Sequence, residues 1–380
     1  MLDEKLLKEE FPQTEGLLYL NHAAVAPWPA RTGRAVRQFA EESVHLGATG
    51  YERWLATEAT LRAQLQRLIN APAITDISLL KNTSEGISIV AAGLHWQKGD
   101  NVVSSDEEFP SNRIPWQAQQ VHGVEFKEVS LKADNPEAAL MSACNEHTRV
   151  LAISSVQYAS GIRLDLARLG RFCREHQVLF CVDAIQSLGA ITLDVQSIQA
   201  DFVIADGHKW LLGPEGMALF YCRESLREQL TLYQYGWHMI ENAGNYAVKE
   251  WRPAPDGKRF ECGSSNMLGI HALSASISLL EQIGLPEIEK SVLMNTLYLI
   301  DKLENIDGIN VLTPHHASGH AGIVSFTIAD RDPADIHRKL LENRVICACR
   351  GGGIRFSPHF YNTQGQLDRA LGILVRSLKF

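Results

Sequence analysis

Three things are scarce in this sequence. There is no long apolar run: the longest uncharged stretch, Cys262 to Leu280, holds five serines, Asn266 and His271 and is too polar for a membrane span. There is no excess of positive charge: the net charge is −8, so the chain as a whole carries no electrostatic footprint for nucleic acid. There is also no pairing signal among the cysteines. Seven stand at 144, 173, 181, 222, 262, 347 and 349, an odd number with no CxxC. In a chain this large that argues against a disulfide framework and for a reducing compartment. The opening "MLDEKLLKEEF" is amphipathic and charged and lacks the apolar centre of a signal peptide. The expectation is a cytoplasmic protein. No repeat or low-complexity tract is visible.

What is present is ordinary in bulk and ordered in detail. The chain has 380 residues, 45% of them hydrophobic and 21% charged, and its length suggests two domains. Short apolar runs recur through the middle: "NVVSS" (101–105), "RVLAISSV" (149–156), "VLFCVDA" (178–184), "DFVIAD" (201–206) and "GMALFYC" (216–222). Their apolarity is continuous rather than alternating, which fits strands buried on both faces of a parallel sheet. Helical stretches such as "LDLARLGRFCREHQ" (164–177) lie between them, so the expected class is α/β. From about 265 helical periodicity dominates to about 305. Strands "NVLTP", "AGIVSFTI" and "GGIRFSP" then surround the helix "DPADIHRKLLENR", the pattern of a smaller α+β domain.

Two of the apolar runs end in charge. "VLFCVDAIQSLGA" reaches Asp183, with Gln186 three residues on, and "DFVIADGHKWLLGPEG" reaches Asp206, His208 and Lys209. In open α/β sheets ligands bind beyond the carboxyl ends of the strands. A carboxylate and an amine at neighbouring strand ends read, taken alone, as a plain ion pair. Here Gly207, Gly213 and Gly216 surround Lys209, and little bulk crowds Asp183, so a ligand can approach closely. Pyridoxal 5'-phosphate needs these parts: a lysine for the Schiff base and an acid beside the ring nitrogen that keeps it protonated. Its phosphate needs a cradle. "KNTSEGISIVAAGL" (81–94) puts Thr83 and Ser84 at a helix N-terminus, either as an anion site or as an ordinary cap.

With these residues in view, the chain resembles the class V aminotransferase group of fold-type I pyridoxal phosphate enzymes. Within it, the likeness is to cysteine desulfurases, selenocysteine lyases and isopenicillin-N-epimerase-like proteins. The resemblance runs from "YLNHAAVAPWP" (19–29) through "TSEG", "VDAIQ", "DGHKWLLGPEG" and "RFECGSSN" (259–266) to "GGIRFSPHFYNT" (352–363). It implies a large, mostly parallel sheet domain over 21–265, a smaller α+β domain over 266–380, and an N-terminal segment, 1–20, packing on the small domain. It implies a Schiff base on Lys209, Asp183 on the pyridinium nitrogen and Gln186 near the ring hydroxyl. Thr83, Ser84 and His208 would reach the phosphate, with Asp206 where many relatives carry a phosphate-binding serine. Phe109 would stack on the ring where many desulfurases have histidine. Arg355 would grip the substrate carboxylate, with Arg350 as a second candidate or helper and His22 near the substrate pocket. Trp237 and His238 would line the entrance. Ser264 would reach the partner subunit's cofactor, implying a homodimer with shared sites.

A desulfurase also needs a cysteine to take up sulfur. Cys347 and Cys349 lie eight and six residues before Arg355, and neither stands clearly at the desulfurase position; a cysteine in a strand is usually a small buried hydrophobe. The resemblance nevertheless implies cysteine desulfurase-like or C–S lyase chemistry on an amino acid. An aminotransferase or epimerase is the alternative, and a non-catalytic binding protein of the same fold the remote one.

Overall fold

The computed structural model describes residues 3–247, 249–316 and 318–378. Seven strands make the large sheet: β1 (Ile77–Leu80), β2 (Asn101–Ser105), β3 (Glu125–Val129), β4 (Thr148–Ser154), β5 (Leu179–Asp183), β6 (Phe202–Asp206) and β7 (Ala218–Cys222). Their spatial order is β1-β7-β6-β5-β4-β2-β3. β6, β5, β4, β2 and β3 pair in parallel, whereas β7 runs antiparallel to both β6 and β1. The expected α/β class is therefore present, with one reversed strand inside it.

Burial explains the unbroken apolar runs. Along β6, Val203 and Ala205 face one core while Phe202 and Ile204 face another. Helices cover both sides, so neither face of the strand can carry a polar residue cheaply. Helix α1 (Ala30–Leu46), α2 (Tyr51–Leu68), α3 (Thr83–Gly93) and α4 (Leu166–Glu175) belong to this unit. Leu169 and Cys173 of α4 are buried at a helical spacing of four. Gly170 beside them is required by contact: a Cβ there would lie 1.7 Å from the Ile198 carbonyl oxygen.

Helices α5 (Met267–Ile283) and α6 (Leu285–Glu304) follow, bent by 85° at their junction. α5 turns Ile270, Leu273, Ile277 and Leu280 into the large core, as α6 does with Ile288 and Val292. Farther along α6, Leu299, Ile300 and Leu303 enter a second core. The cores thus exchange within α6, C-terminal to the division expected near residue 265. The second core lies under a four-stranded antiparallel sheet of β8 (Ile309–Val311), β9 (Val324–Ile328), β10 (Ala348–Arg350) and β11 (Gly353–Phe356), in the order β10-β11-β9-β8. Helices α7 (Pro333–Glu342) and α8 (Gln364–Leu378) cover it. Leu18 and Leu20 also belong to this core, and Leu18–Tyr19 pairs in parallel with Val345–Ile346. No single helix among the described residues is long and apolar enough to cross a membrane.

Gly170→Ala will test the α4 packing. The added methyl has no void to enter, so the thermal midpoint should fall by an amount corresponding to roughly 1–3 kcal/mol of overpacking. An unchanged midpoint would mean that α4 can move away from Ile198 at no cost.

Candidate active site

The parallel pairing of β5 with β6 sets Asp183 beside Ile204 and brings the two strand ends together. Asp183 is the last residue of β5 and Asp206 the last of β6; Lys209 follows in the next turn. They border a cavity of about 270 Å³, with Thr83, Gln186 and His208 on the same wall. Phe109 and the arginines of the small sheet, Arg355 and Arg350, complete it. A larger cavity of about 750 Å³ opens beside α4 and holds none of these groups. Size therefore does not mark the site; the convergence of charged groups does.

The cavity is electrostatically tense. Asp183 is almost fully buried, and burial pushes its carboxyl well above the usual range. One hydrogen bond from the Ile185 N–H (3.0 Å) opposes that rise, as does the nearby Lys209 charge, while the Glu108 carboxylate adds to it. Burial likewise pushes Asp206 up to about 7, against the Thr83 N–H that its Oδ1 accepts at 2.9 Å. Lys209 is pushed down by burial, and Arg355 and Arg350 reinforce the shift against the pull of Asp183 and Asp206. A lysine so placed approaches the neutral amine that attack on an aldehyde requires. Its Nζ lies 5.6 Å from the centroid of the Phe109 ring, which stands edge-on to Tyr158.

Three buried polar atoms around the cavity have no hydrogen-bond partner among the described residues: Thr83 Oγ1, His208 Nδ1 and Arg355 Nε. Buried polar groups are normally satisfied, so three orphans around one space call for a ligand. Two of them suit a phosphate. Thr83 opens helix α3, whose dipole favours an anion, although the Thr83 N–H already donates to Asp206 Oδ1 and the Glu85 N–H to the capping Asn82 Oδ1, both at 2.9 Å. His208 is held neutral, near 4, by burial and by Lys209, and its Nδ1 lies 3.6 Å from Asp206 Oδ2. The third, Arg355, is buried and gives one Nη1 bond to the Tyr158 carbonyl at 2.7 Å. The donor set thus fits a phosphorylated ring beside a carboxylate-bearing substrate.

Other expected residues lie elsewhere. Ser84 does not face the cavity; it is exposed, and its hydroxyl bonds Ser111 Oγ at 2.8 Å. Ser264 is also exposed and lines a separate depression with Cys262 and Asn266. Neither Trp237 nor His238 borders the cavity. His22, expected near the substrate pocket, does not border the cavity. His22 is fully buried, its Nδ1 against the Ser357 carbonyl (2.8 Å) and its Nε2 against the Tyr361 hydroxyl (2.6 Å), so neither ring nitrogen is free. Gln186 does face the cavity, although its amide is tied to the Ala23 carbonyl and the Trp210 indole.

Glu108 escaped the sequence reading. Its buried carboxylate accepts from Ser105 Oγ, Ser154 N, Ser154 Oγ, Gln157 Nε2 and Asn112 Nδ2, tying β2 and β4 to the segment that carries Phe109. Two adjacent acids in "EEF" look like surface charge; the only hint was that one directly precedes Phe109, the aromatic expected to stack.

The fold and the cavity define a pyridoxal-phosphate-dependent enzyme, and comparison with known proteins narrows the class. The family described as aminotransferase class-V matches residues 18–370. The chain is 33% identical to a probable cysteine desulfurase of Methanothermobacter thermautotrophicus, across 95% of both proteins. Its fold superposes on a cysteine desulfurase from Thermococcus onnurineus with a TM-score of 0.89 at 24% identity, covering 100% of this chain and 99% of that one. It superposes equally well, at 0.89 and 25% identity over 96% of this chain and 99% of the other, on the cystine C–S lyase C-DES in complex with its product cysteine persulfide. The chain belongs to the aminotransferase class-V family.

The buried His22 makes a prediction about acid stability. Burial lowers its pKa from 6.5 to about 4, so between those values the unfolded chain binds a proton that the folded chain refuses. Stability from this group is complete above about 6.5 and is lost as pH falls toward 4. His22→Gln should therefore reduce the slope of unfolding free energy against pH in that window by about 1.4 kcal/mol per unit. Asp183 and Asp206, raised by burial, act with the opposite sign but are common to both proteins and cancel in the comparison. Denaturant titrations at several pH values measure it; equal slopes would refute the assignment.

Proposed function

We propose that this enzyme breaks the Cβ–S bond of a cysteine-type amino acid by direct elimination, without a thiol of its own. Pyridoxal phosphate, when bound, withdraws the electrons left at Cα once the amino acid has lost its Cα proton. The residues of this chain supply the rest. Thr83, His208 and the α3 N-terminus would hold the phosphate, and Asp183 would keep the ring nitrogen protonated. Phe109 covers the ring but cannot exchange protons. Lys209, pushed toward its neutral form, carries the cofactor and then moves the Cα proton. Arg355 binds the α-carboxylate through its guanidinium fork.

One observation carries the choice of elimination: no cysteine among the described residues borders the Lys209 cavity. Cys347 is buried in the second core, and burial pushes its thiol up to about 12, far from the thiolate that sulfur transfer needs. Cys349 pairs with Ile354, one residue out of step with Arg355, and so faces the opposite side of the hairpin. L-cysteine plus water then gives pyruvate, ammonia and hydrogen sulfide. The relatives named as desulfurases support a second reading, in which a cysteine takes the sulfur as a persulfide and alanine leaves.

Mass spectrometry of the products formed from L-cysteine by the holoenzyme separates the readings. Pyruvate, ammonia and sulfide in equal amounts are expected, with activity lost in Lys209→Ala. Alanine with a persulfide on Cys347 or Cys349 would establish the desulfurase instead, and an absence of any sulfur product would favour a transaminase or epimerase.

We also propose a cytoplasmic homodimer that shares its sites. Seven free cysteines suit a reducing compartment. The segment around 233–251 exposes Tyr233, Tyr235, Trp237, Tyr246 and Trp251, an unusual aromatic surface that a second copy would cover, near the depression holding Ser264. Sedimentation equilibrium should give twice the 42.2 kDa of one chain, and a value of 42.2 kDa would reject the dimer.

A further inference from the structure

The Lys209 cavity is faced by two guanidiniums, and an amino-acid carboxylate needs one. The register of the β10–β11 hairpin fixes both. Ala348 lies opposite Arg355, and Arg350 opposite Gly353. Side chains alternate along a strand, so 348 and 350 share a face, as do 353 and 355. Arg350 and Arg355 therefore project from the same face, while Cys349 and Ile354 occupy the other. The hairpin closes through Gly351 and Gly352, whose φ values of 59° and 77° are the two positive angles that a tight two-residue turn demands. The turn thus places Arg350, which is exposed, at the tip of the hairpin, with Arg355 buried one step deeper.

Neither arginine has an acid of its own. Arg350 makes one hydrogen bond, from Nη1 to the adjacent Cys349 carbonyl at 3.0 Å, and Arg355 makes one to the Tyr158 carbonyl. Among the described residues, none of the three acids on the cavity, Asp183, Asp206 and Glu215, forms an ion pair with either arginine. Two like charges side by side repel: burial first, and then the neighbouring Arg350 charge, lower Arg355 to about 10. The small-domain end of the cavity is thus a cationic pair, and an anion spanning both members would relieve it. The α-carboxylate occupies only one.

We propose that the preferred substrate carries a second carboxylate on its sulfur substituent, which Arg350 binds while Arg355 binds the α-carboxylate. The inference rests on the C–S cleavage reading above. The substrate class is an S-substituted cysteine, R–S–CH2–CH(NH3+)–COO−, with R ending in a carboxylate. With one water it yields R–SH, pyruvate and ammonium: the Cβ–S bond breaks, sulfur leaves with the electron pair and takes a proton, and nothing is oxidised or reduced. A guanidinium at a partly open tip is well suited to this role, because its planar fork matches a carboxylate and it stays charged.

The test compares S-carboxymethyl-L-cysteine with S-carbamoylmethyl-L-cysteine, which match in size and differ in one charge. Holoenzyme is titrated with each, and the cofactor absorbance change gives Kd whether or not turnover follows; pyruvate release gives kcat/KM. The carboxymethyl compound should bind about tenfold more tightly, the range of one charge-assisted contact. Arg350→Met should shrink that ratio to near unity, and Arg350→Lys should retain part of it. Equal affinities in the wild-type protein, or an equal loss for both compounds in Arg350→Met, would overturn the proposal. Failure of the underlying reading looks different: neither compound nor L-cysteine would release a thiol or sulfide, while the two Kd values would still report whether Arg350 selects charge.

Discussion

The site depends on one backbone ladder, the parallel pairing of β5 with β6. It places two strands that are apolar on both faces side by side and lets each end in a carboxylate, Asp183 level with Ile204 and Asp206 two residues beyond. The ladder continues past the strands, with the Ala184 N–H donating to the Ile204 carbonyl at 2.8 Å, so Asp183 cannot withdraw toward solvent. A buried carboxylate is costly, and here the cost is met by a backbone N–H and by the charge of Lys209. A slip of one residue would turn Asp183 to the other face of the sheet and leave Lys209 without its counter-charge.

Around that ladder the chain spends further buried charge on architecture. Arg62 of α2 binds Glu261 through two nitrogens and Glu58 through one, and Glu261 also accepts the Leu79 N–H of β1. Arg227 pairs with Asp76. Glu261 thus joins α2 and β1 to the segment leading into α5, and Arg227–Asp76 joins the chain after β7 to the chain before β1. Removing one partner of such a pair strands a buried charge, so these contacts define geometry more than they add stability. The result is a rigid wall on which α3, and with it Thr83, is mounted.

Much of this was legible in the sequence, for a physical reason. Strands buried on both faces must be continuously apolar, so the abrupt change to Asp183 and to Asp206-Gly207-His208-Lys209 marked the strand ends where ligands sit. The direction of β7 was not legible, because "GMALFYC" is equally apolar in either orientation. The allegiance of α5 was not legible either: its periodicity announces a helix but not which core receives it. His22 and Ser84 sit beside motif residues in the chain yet point elsewhere, since a turn and the first turn of a helix send adjacent side chains in different directions. The shared face of Arg350 and Arg355 needed the hairpin register, which five residues of spacing cannot supply.

The tie between Asp206 and Thr83 has a consequence for how cofactor is captured. The Thr83 N–H already donates to Asp206 Oδ1, so the first turn of α3 is fastened to the end of β6 by the fold itself. On the proposed reading, a phosphate held there would meet a helix end whose orientation was fixed when the chain folded, with little conformational freedom left to lose on binding. The same fastening limits adaptability. A loop could rearrange around a bulkier or differently charged anion, but a helix end pinned to a strand end accepts only what fits its existing spacing, so discrimination at this end comes from stiffness rather than from contacts formed on arrival.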